Sequence, residues 1–90
     1  MRGMQYVFQR LDNGDQVQWE NSEGIVQTIL FDTPEEAEEM ITLFPDFFNE
    51  PKNLEIKKGI YYIDESINYK DLKEDKEFQA VTNKEEINHG

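Results

Sequence analysis

Ile29-Leu30-Phe31-Asp32-Thr33-Pro34-Glu35-Glu36-Ala37-Glu38-Glu39-Met40-Ile41-Thr42-Leu43-Phe44-Pro45 is the stretch on which the fold turns. Ile29 to Phe31 close a strand-like run, and Asp32-Thr33-Pro34 then open a helix. Thr33 fits the N-cap, Pro34 the first helical position, and Glu36, three residues after Thr33, completes a capping box. Ala37, Met40, Ile41 and Phe44 follow at i, i+3, i+4 and i+7, one apolar stripe along a helix over 34–44. Pro45 stops it. Such a stripe needs a sheet face to be buried against.

The residues upstream supply that face. Met4 to Leu11 alternates, with Met4, Tyr6 and Phe8 on one side and Val7 and Leu11 on the other. Asp12-Asn13-Gly14-Asp15 follows, and Asn-Gly is a strong signal for a two-residue type I′ hairpin. That turn predicts Phe8 opposite Trp19 and Arg10 opposite Val17, with Gln9, Gln16, Gln18 and Glu20 on a glutamine-rich outer face. Ser22-Glu23-Gly24 makes a second turn. Gly24 to Phe31 then reads as a third strand, completing a three-stranded meander.

Downstream, Asp46-Phe47-Phe48-Asn49-Glu50-Pro51 is a bulky connector. Asn53 to Lys58 and Ile60 to Ile63 read as strands with a bend or bulge at Gly59. Within 64–77, Tyr69 and Leu72 suggest a short helix. Phe78 to Val81 reads as a last short strand, and Thr82 to Gly90 as a frayed polar tail. The expected organisation is a single α+β domain over 1–82, with 83–90 as tail. The fold class is an antiparallel sheet with one main helix on a face and a second short helix. Tyr6, Phe8, Trp19, Ile29, Met40, Ile41 and Phe44 are the expected core.

Charge is the second strong signal. The chain has 90 residues, 20 acidic and 9 basic, for a net −11. Residues 1–50 carry 11 acids and 2 bases; residues 51–90 carry 9 acids and 7 bases. A field of this sign repels nucleic acid and anionic membranes and attracts basic surfaces. The six Phe, four Tyr and one Trp argue against the disorder typical of acidic chains poor in aromatics. With no cysteine, disulfides and thiolate metal sites are excluded, which fits a reducing cytoplasm. The start, MRGMQYVFQRL, lacks the apolar run of a signal peptide, and no stretch approaches the roughly 20 apolar residues of a membrane span. The expected location is cytoplasmic.

The residue types argue against catalysis. His89 is the only histidine and sits second from the end, so a Ser-His or Cys-His arrangement is close to excluded. No spacing singles out a carboxylate pair for acid–base work. Asp12-Asn13-Gly14-Asp15 superficially resembles the start of a calcium loop, but Gly14 occupies the third ligand position and strands flank it, so the hairpin explains it better. Gly-rich phosphate loops are absent. No enzyme activity, cofactor or metal is expected.

Glu35, Glu36, Glu38 and Glu39 form the densest charge cluster, spanning about 6 Å of helix rise. Duplex DNA carries one charge per ~1.7 Å of axis, a comparable density. The plain alternative is that acids in a first helical turn complement the helix dipole and serve solubility. Glu23, Asp32 and Asp46 lie in the same acidic half. Phe47 and Phe48 are neighbours that need not both point inward, and an aromatic anchor ringed by acids is a usual hot-spot composition; core packing is the competing reading. Tyr61-Tyr62 poses the same question. The candidate partner-binding set is therefore Glu23, Asp32, Glu35, Glu36, Glu38, Glu39, Asp46, Phe47 and Phe48. Reversal of Glu36 and Glu39 to lysine is expected to leave the fold intact.

The stretch from Ile29 to Glu39 resembles a pattern in short phage and prophage proteins, in which a hairpin precedes F-[DS]-[ST]-x-E-E-A-E at a helix start. As a class, the chain resembles small, acidic, cysteine-free phage anti-defence proteins, the anti-CRISPR and anti-restriction inhibitors. Several of those imitate DNA, but they share no motif, so no residue role carries over. The resemblance implies a stoichiometric inhibitor that places an acidic face in the basic nucleic-acid channel of a bacterial defence enzyme, with no direct contact to nucleic acid or membrane. The alternative is a small adaptor or structural domain, monomeric or dimeric, whose charge serves solubility.

Overall fold

The computed structural model describes residues 4–48, 50–59 and 65–82. The order is β1 (Gln5–Arg10), β2 (Gln18–Glu20), β3 (Val26–Leu30), α1 (Pro34–Leu43), β4 (Leu54–Gly59), β5 (Ser66–Asn68), α2 (Tyr69–Leu72) and α3 (Lys76–Thr82), with short 3-10 turns at Pro45–Phe47 and Pro51–Asn53. The class is α+β. The expected strand at 60–63, the pair Tyr61-Tyr62 and the tail 83–90 lie outside the described residues.

The helix at the centre of the chain forms as its local chemistry dictates. The Thr33 hydroxyl accepts the Glu36 N–H at 3.2 Å, and the Glu36 carboxylate accepts the Asp32 N–H at 3.0 Å. The first satisfies an orphan helical donor; the second holds the N–H one residue before the N-cap, where a full capping box would hold that of Thr33 itself. Ala37 and Met40 are fully buried and Phe44, the C-cap, nearly so; Ile41 packs at the core's margin.

The strands depart from a simple meander. β1 pairs along its whole length with β4, antiparallel, from Gln5 opposite Gly59 to Arg10 opposite Leu54. On its other side it meets two strands in turn. Val17 donates its N–H to Phe8 at 3.0 Å, while its carbonyl accepts from Ile29 at 3.3 Å. Beyond this point β1 and the end of β3 pair with each other through Tyr6 and Phe31, at 2.9 and 2.8 Å. Val17 is thus a three-way junction of strands. β2 pairs antiparallel with β3, and β3 pairs with β5 in parallel, the crossover carrying α1 and β4 as parallel neighbours require.

The first turn differs from the expected type. Arg10 donates to Asp15 and Gly14 donates to Arg10, both at 2.8 Å, which closes a four-residue loop rather than a two-residue one. Gly14 has φ +77°, but Asn13 is not among the positive-φ residues. A type I′ turn needs both. Asn13 instead uses its side chain to accept the Asp15 N–H at 2.9 Å. Phe8 therefore faces Val17 rather than Trp19, and Arg10 faces Asp15. The slip is two residues, so every side chain keeps its expected face.

The end of the chain also differs. Phe78 to Val81 is helical, within α3, because the Asp75 carboxylate accepts the Phe78 N–H at 3.0 Å and caps the segment. Thr82, expected to begin a frayed tail, is buried and donates its hydroxyl to the Phe78 carbonyl at 2.7 Å.

The core is a cluster of rings. Phe8 packs edge-on to Phe31 and Phe48, and Phe78 lies against Trp19, Phe44 and Phe47, with centroids 5.1–5.5 Å apart. Of the expected core, Phe8, Trp19, Ile29, Met40 and Phe44 are buried; Tyr6 and Ile41 are half-buried against it. Replacing Gly14 with valine should destabilise the chain by about 1 kcal/mol or more, since a β-branched residue resists positive φ. An unchanged urea midpoint would contradict the loop geometry.

Candidate functional site

The apolar stripe of α1 points inward, so its glutamates divide by helical spacing. Glu36 and Glu39, one turn apart, share one flank. Glu35 and Glu38 share the other.

The first flank faces α2. Asn68 caps α2 by accepting the Lys70 N–H at 3.1 Å and gives its side-chain amide to Asp32 at 3.1 Å. Lys70 Nζ lies 3.2 Å from Asp32 and 3.8 Å from Glu36. One turn on, Lys73 Nζ lies 3.1 Å from Glu39, which also accepts the Tyr69 hydroxyl at 2.9 Å. Lys73 sits 5.3 Å from the centroid of the Tyr69 ring. The result is a ladder of three carboxylates against two lysines along the α1–α2 seam.

The ladder is written into its acidities. The Asn68 amide, helped by Lys70, holds Asp32 below its ordinary 3.8; the Tyr69 hydroxyl, helped by Lys73, holds Glu39 below its ordinary 4.5. Burial, with the Glu39 hydrogen bond added, pushes the Tyr69 phenol well above 10.0, and Asp32 raises Lys70 above 10.5.

The second flank is different. Glu35 and Glu38 are exposed and make no ion pair among the described residues, nor do Glu23, in the β2–β3 turn, and Asp46, in the turn after α1. Only half of the acidic cluster is therefore free, which halves the charge density that the sequence suggests. The two aromatic candidates also separate. Phe48 is 8 % exposed and belongs to the core, which removes it as an anchor. Phe47 is half-buried, its ring 5.2 Å from Phe48 and 5.4 Å from Phe78.

The structure thus sorts the nine candidates. Asp32, Glu36 and Glu39 are tied to α2; Phe48 is core; Glu23, Glu35, Glu38, Asp46 and part of Phe47 remain at the surface. Sequence reasoning missed Asn68, Tyr69, Lys70 and Lys73 as partners of the helix. The signal was present: Lys70 and Lys73 repeat the three-residue spacing of Glu36 and Glu39. Among the described residues, no group of three His, Asp or Glu is placed to hold a metal ion, and no helix is long and apolar enough to cross a membrane. Compared with protein-family models, curated proteins and solved structures, the chain matches none.

The ladder argues against the expectation that reversing Glu36 and Glu39 leaves the fold intact. Glu36→Lys with Glu39→Lys places like charges against Lys70 and Lys73 and leaves the Tyr69 hydroxyl without its acceptor. It should lower the melting temperature clearly, whereas Glu35→Lys with Glu38→Lys should leave it nearly unchanged; equal melting curves would contradict the ladder.

The same contacts make stability depend on pH. Depressed carboxylates stabilise above their unfolded acidities, and that contribution is lost as pH falls through the 3.8–4.5 range and below. A raised tyrosine and a raised lysine stabilise fully below their unfolded values, and that contribution is lost as pH rises past 10.0 and 10.5. Urea unfolding against pH should show a plateau between these limits. In Tyr69→Phe with Lys70→Met the alkaline loss should shrink.

Proposed function

We propose that this chain is a small non-enzymatic inhibitor that binds a basic protein surface and denies nucleic acid access to it. A bacterial defence enzyme is the partner that the class resemblance implies, with the chain encoded by a phage or mobile element. The observation that carries the reading is the charge left over after internal pairing: Glu35 and Glu38 lie on the flank of α1 away from both lysines, and, like the exposed Glu23 and Asp46, make no ion pair among the described residues. Self-repulsion of this kind gains nothing for folding, whereas it accelerates encounter with a cationic surface. Phe47, beside Asp46, is the aromatic contact that would slow dissociation once the surfaces meet.

A second reading has its own support. The pairing of Asp32, Glu36 and Glu39 within the fold gives half of the helix cluster a structural role, which favours an adaptor or structural domain whose remaining acidity serves solubility.

Lysate pull-down at low and high salt, followed by association rates against ionic strength, separates the two. Under the inhibitor reading, Glu35→Lys with Glu38→Lys leaves the fold intact and slows association most at low salt. Its partner loses nucleic-acid binding when the wild-type chain is added. Association that ignores both salt and the double reversal would overturn the reading in favour of the adaptor.

A further inference from the structure

The extended segment from Asp15 through the bridge residue Gln16 into β2 has one edge with no backbone partner among the described residues. The N–H and C=O of one strand residue point to the same side, and the sides alternate along the chain. The Asp15 carbonyl accepts from Arg10, Val17 bonds to Phe8 and Ile29, and Asn21 donates to Ile25 at 3.0 Å. The odd-numbered residues therefore face β1 and β3. The peptide groups of Gln16, Gln18 and Glu20 point the other way, off the sheet.

This edge borders a groove lined by Asp15, Gln16, Val17, Gln18, Phe47 and Phe48. The turn Pro45–Phe47 brings the Phe47 ring alongside the strand. Val17 turns toward the core, as Trp19 does, so an added strand would set alternate side chains beside Val17 and Phe47. Its other side chains would lie on the Gln16, Gln18 and Glu20 face. Asp15, Glu20 and Asp46 are exposed along the strand and beside Phe47. Arg10, also in the lining, is ion-paired with Asp12 at 3.8 Å. The charge that repels a second copy at net −11 attracts a cation.

We propose that the 15–20 edge is a strand-addition site for an extended, cationic segment of another protein, one that alternates Lys or Arg with apolar residues. The site is separate from the α1 flank. It stands on backbone geometry and does not require the inhibitor reading.

The probe is acetyl-Lys-Val-Lys-Val-Lys-Val-amide, titrated into the 15N-labelled full chain. Two versions N-methylated on alternate sets of amides serve as controls, with a Glu-for-Lys version as a third. The expected result is shifts at the Gln16, Gln18 and Glu20 amides and no binding of the Glu peptide. One methylated version, but not the other, should bind at least about tenfold more weakly, because it cannot donate to the edge. Equal binding of both methylated peptides, or shifts confined to Glu35 and Glu38, would reduce the interaction to charge attraction and overturn the site. Hydrogen-exchange protection of these three amides in the free chain would also overturn it. Protection independent of concentration would assign the edge to the chain's own residues, and protection that grows with concentration to a second copy. Loss of the α1-dependent association with this peptide binding intact would sink the inhibitor reading alone.

Discussion

Burial of Phe78 is the constraint from which the rest of the structure follows. Its ring, delivered by the last described helix, meets Trp19 from β2, Phe44 from the end of α1 and Phe47 from the turn beyond. A second set of rings, Phe31, Phe8 and Phe48, runs from β3 across β1, with Tyr69 closing on Phe31 at 5.4 Å. A chain of this size buries little surface in total. Large rings in edge-on contact supply apolar area and a further increment of pairwise attraction. The C-terminal helices are therefore part of the core, although their sequence is crowded with charge.

The same packing decides where the negative field emerges. Tyr69 is wholly buried, and with its ring against Phe31 its hydroxyl reaches Glu39 while Lys70 and Lys73 fall along one flank of α1. The two lysines offset most of the charge of the three carboxylates on that flank and none of it on the other. An exposed pair of this kind contributes little by itself, so what Glu36→Lys with Glu39→Lys would cost comes from the new repulsion and the orphaned Tyr69 hydroxyl, while the intact ladder also shapes the surface potential. What an approaching molecule meets on α1 is the unpaired charge of Glu35 and Glu38; Glu23 and Asp46 are exposed elsewhere, the latter next to the half-buried Phe47.

The parts that were legible in advance are those whose energetics are local. The start of α1 is set by Thr33, Pro34 and Glu36 within four residues, and its buried face by a repeat visible over two turns. The first turn was half legible. Gly14 adopts the positive φ that its position suggests, but Asn13 satisfies a neighbouring N–H with its side chain and the loop widens. α3 was misread because its cap, Asp75, sits within Lys73-Glu74-Asp75-Lys76-Glu77, where one carboxylate does not stand out from the rest. The candidate surface was legible as charge and not as geometry: the count of glutamates is in the sequence, whereas their division between two flanks depends on where α2 lies.

By itself, then, the sequence determined the α+β class, the capped helix and its inward face, the sign of the surface charge and the absence of thiol chemistry. Each of these depends on composition or on residues a few positions apart. Only the tertiary structure decided that β1 lies beside β4, that Val17 is a junction of three strands and that Phe48 is core. It also decided that Glu36 and Glu39 are spoken for. Those outcomes join residues tens of positions apart, as Glu39 and Tyr69 are. Among many acids and many rings of similar chemistry, the choice of partner is made by the packing of the whole chain and not by any local pattern.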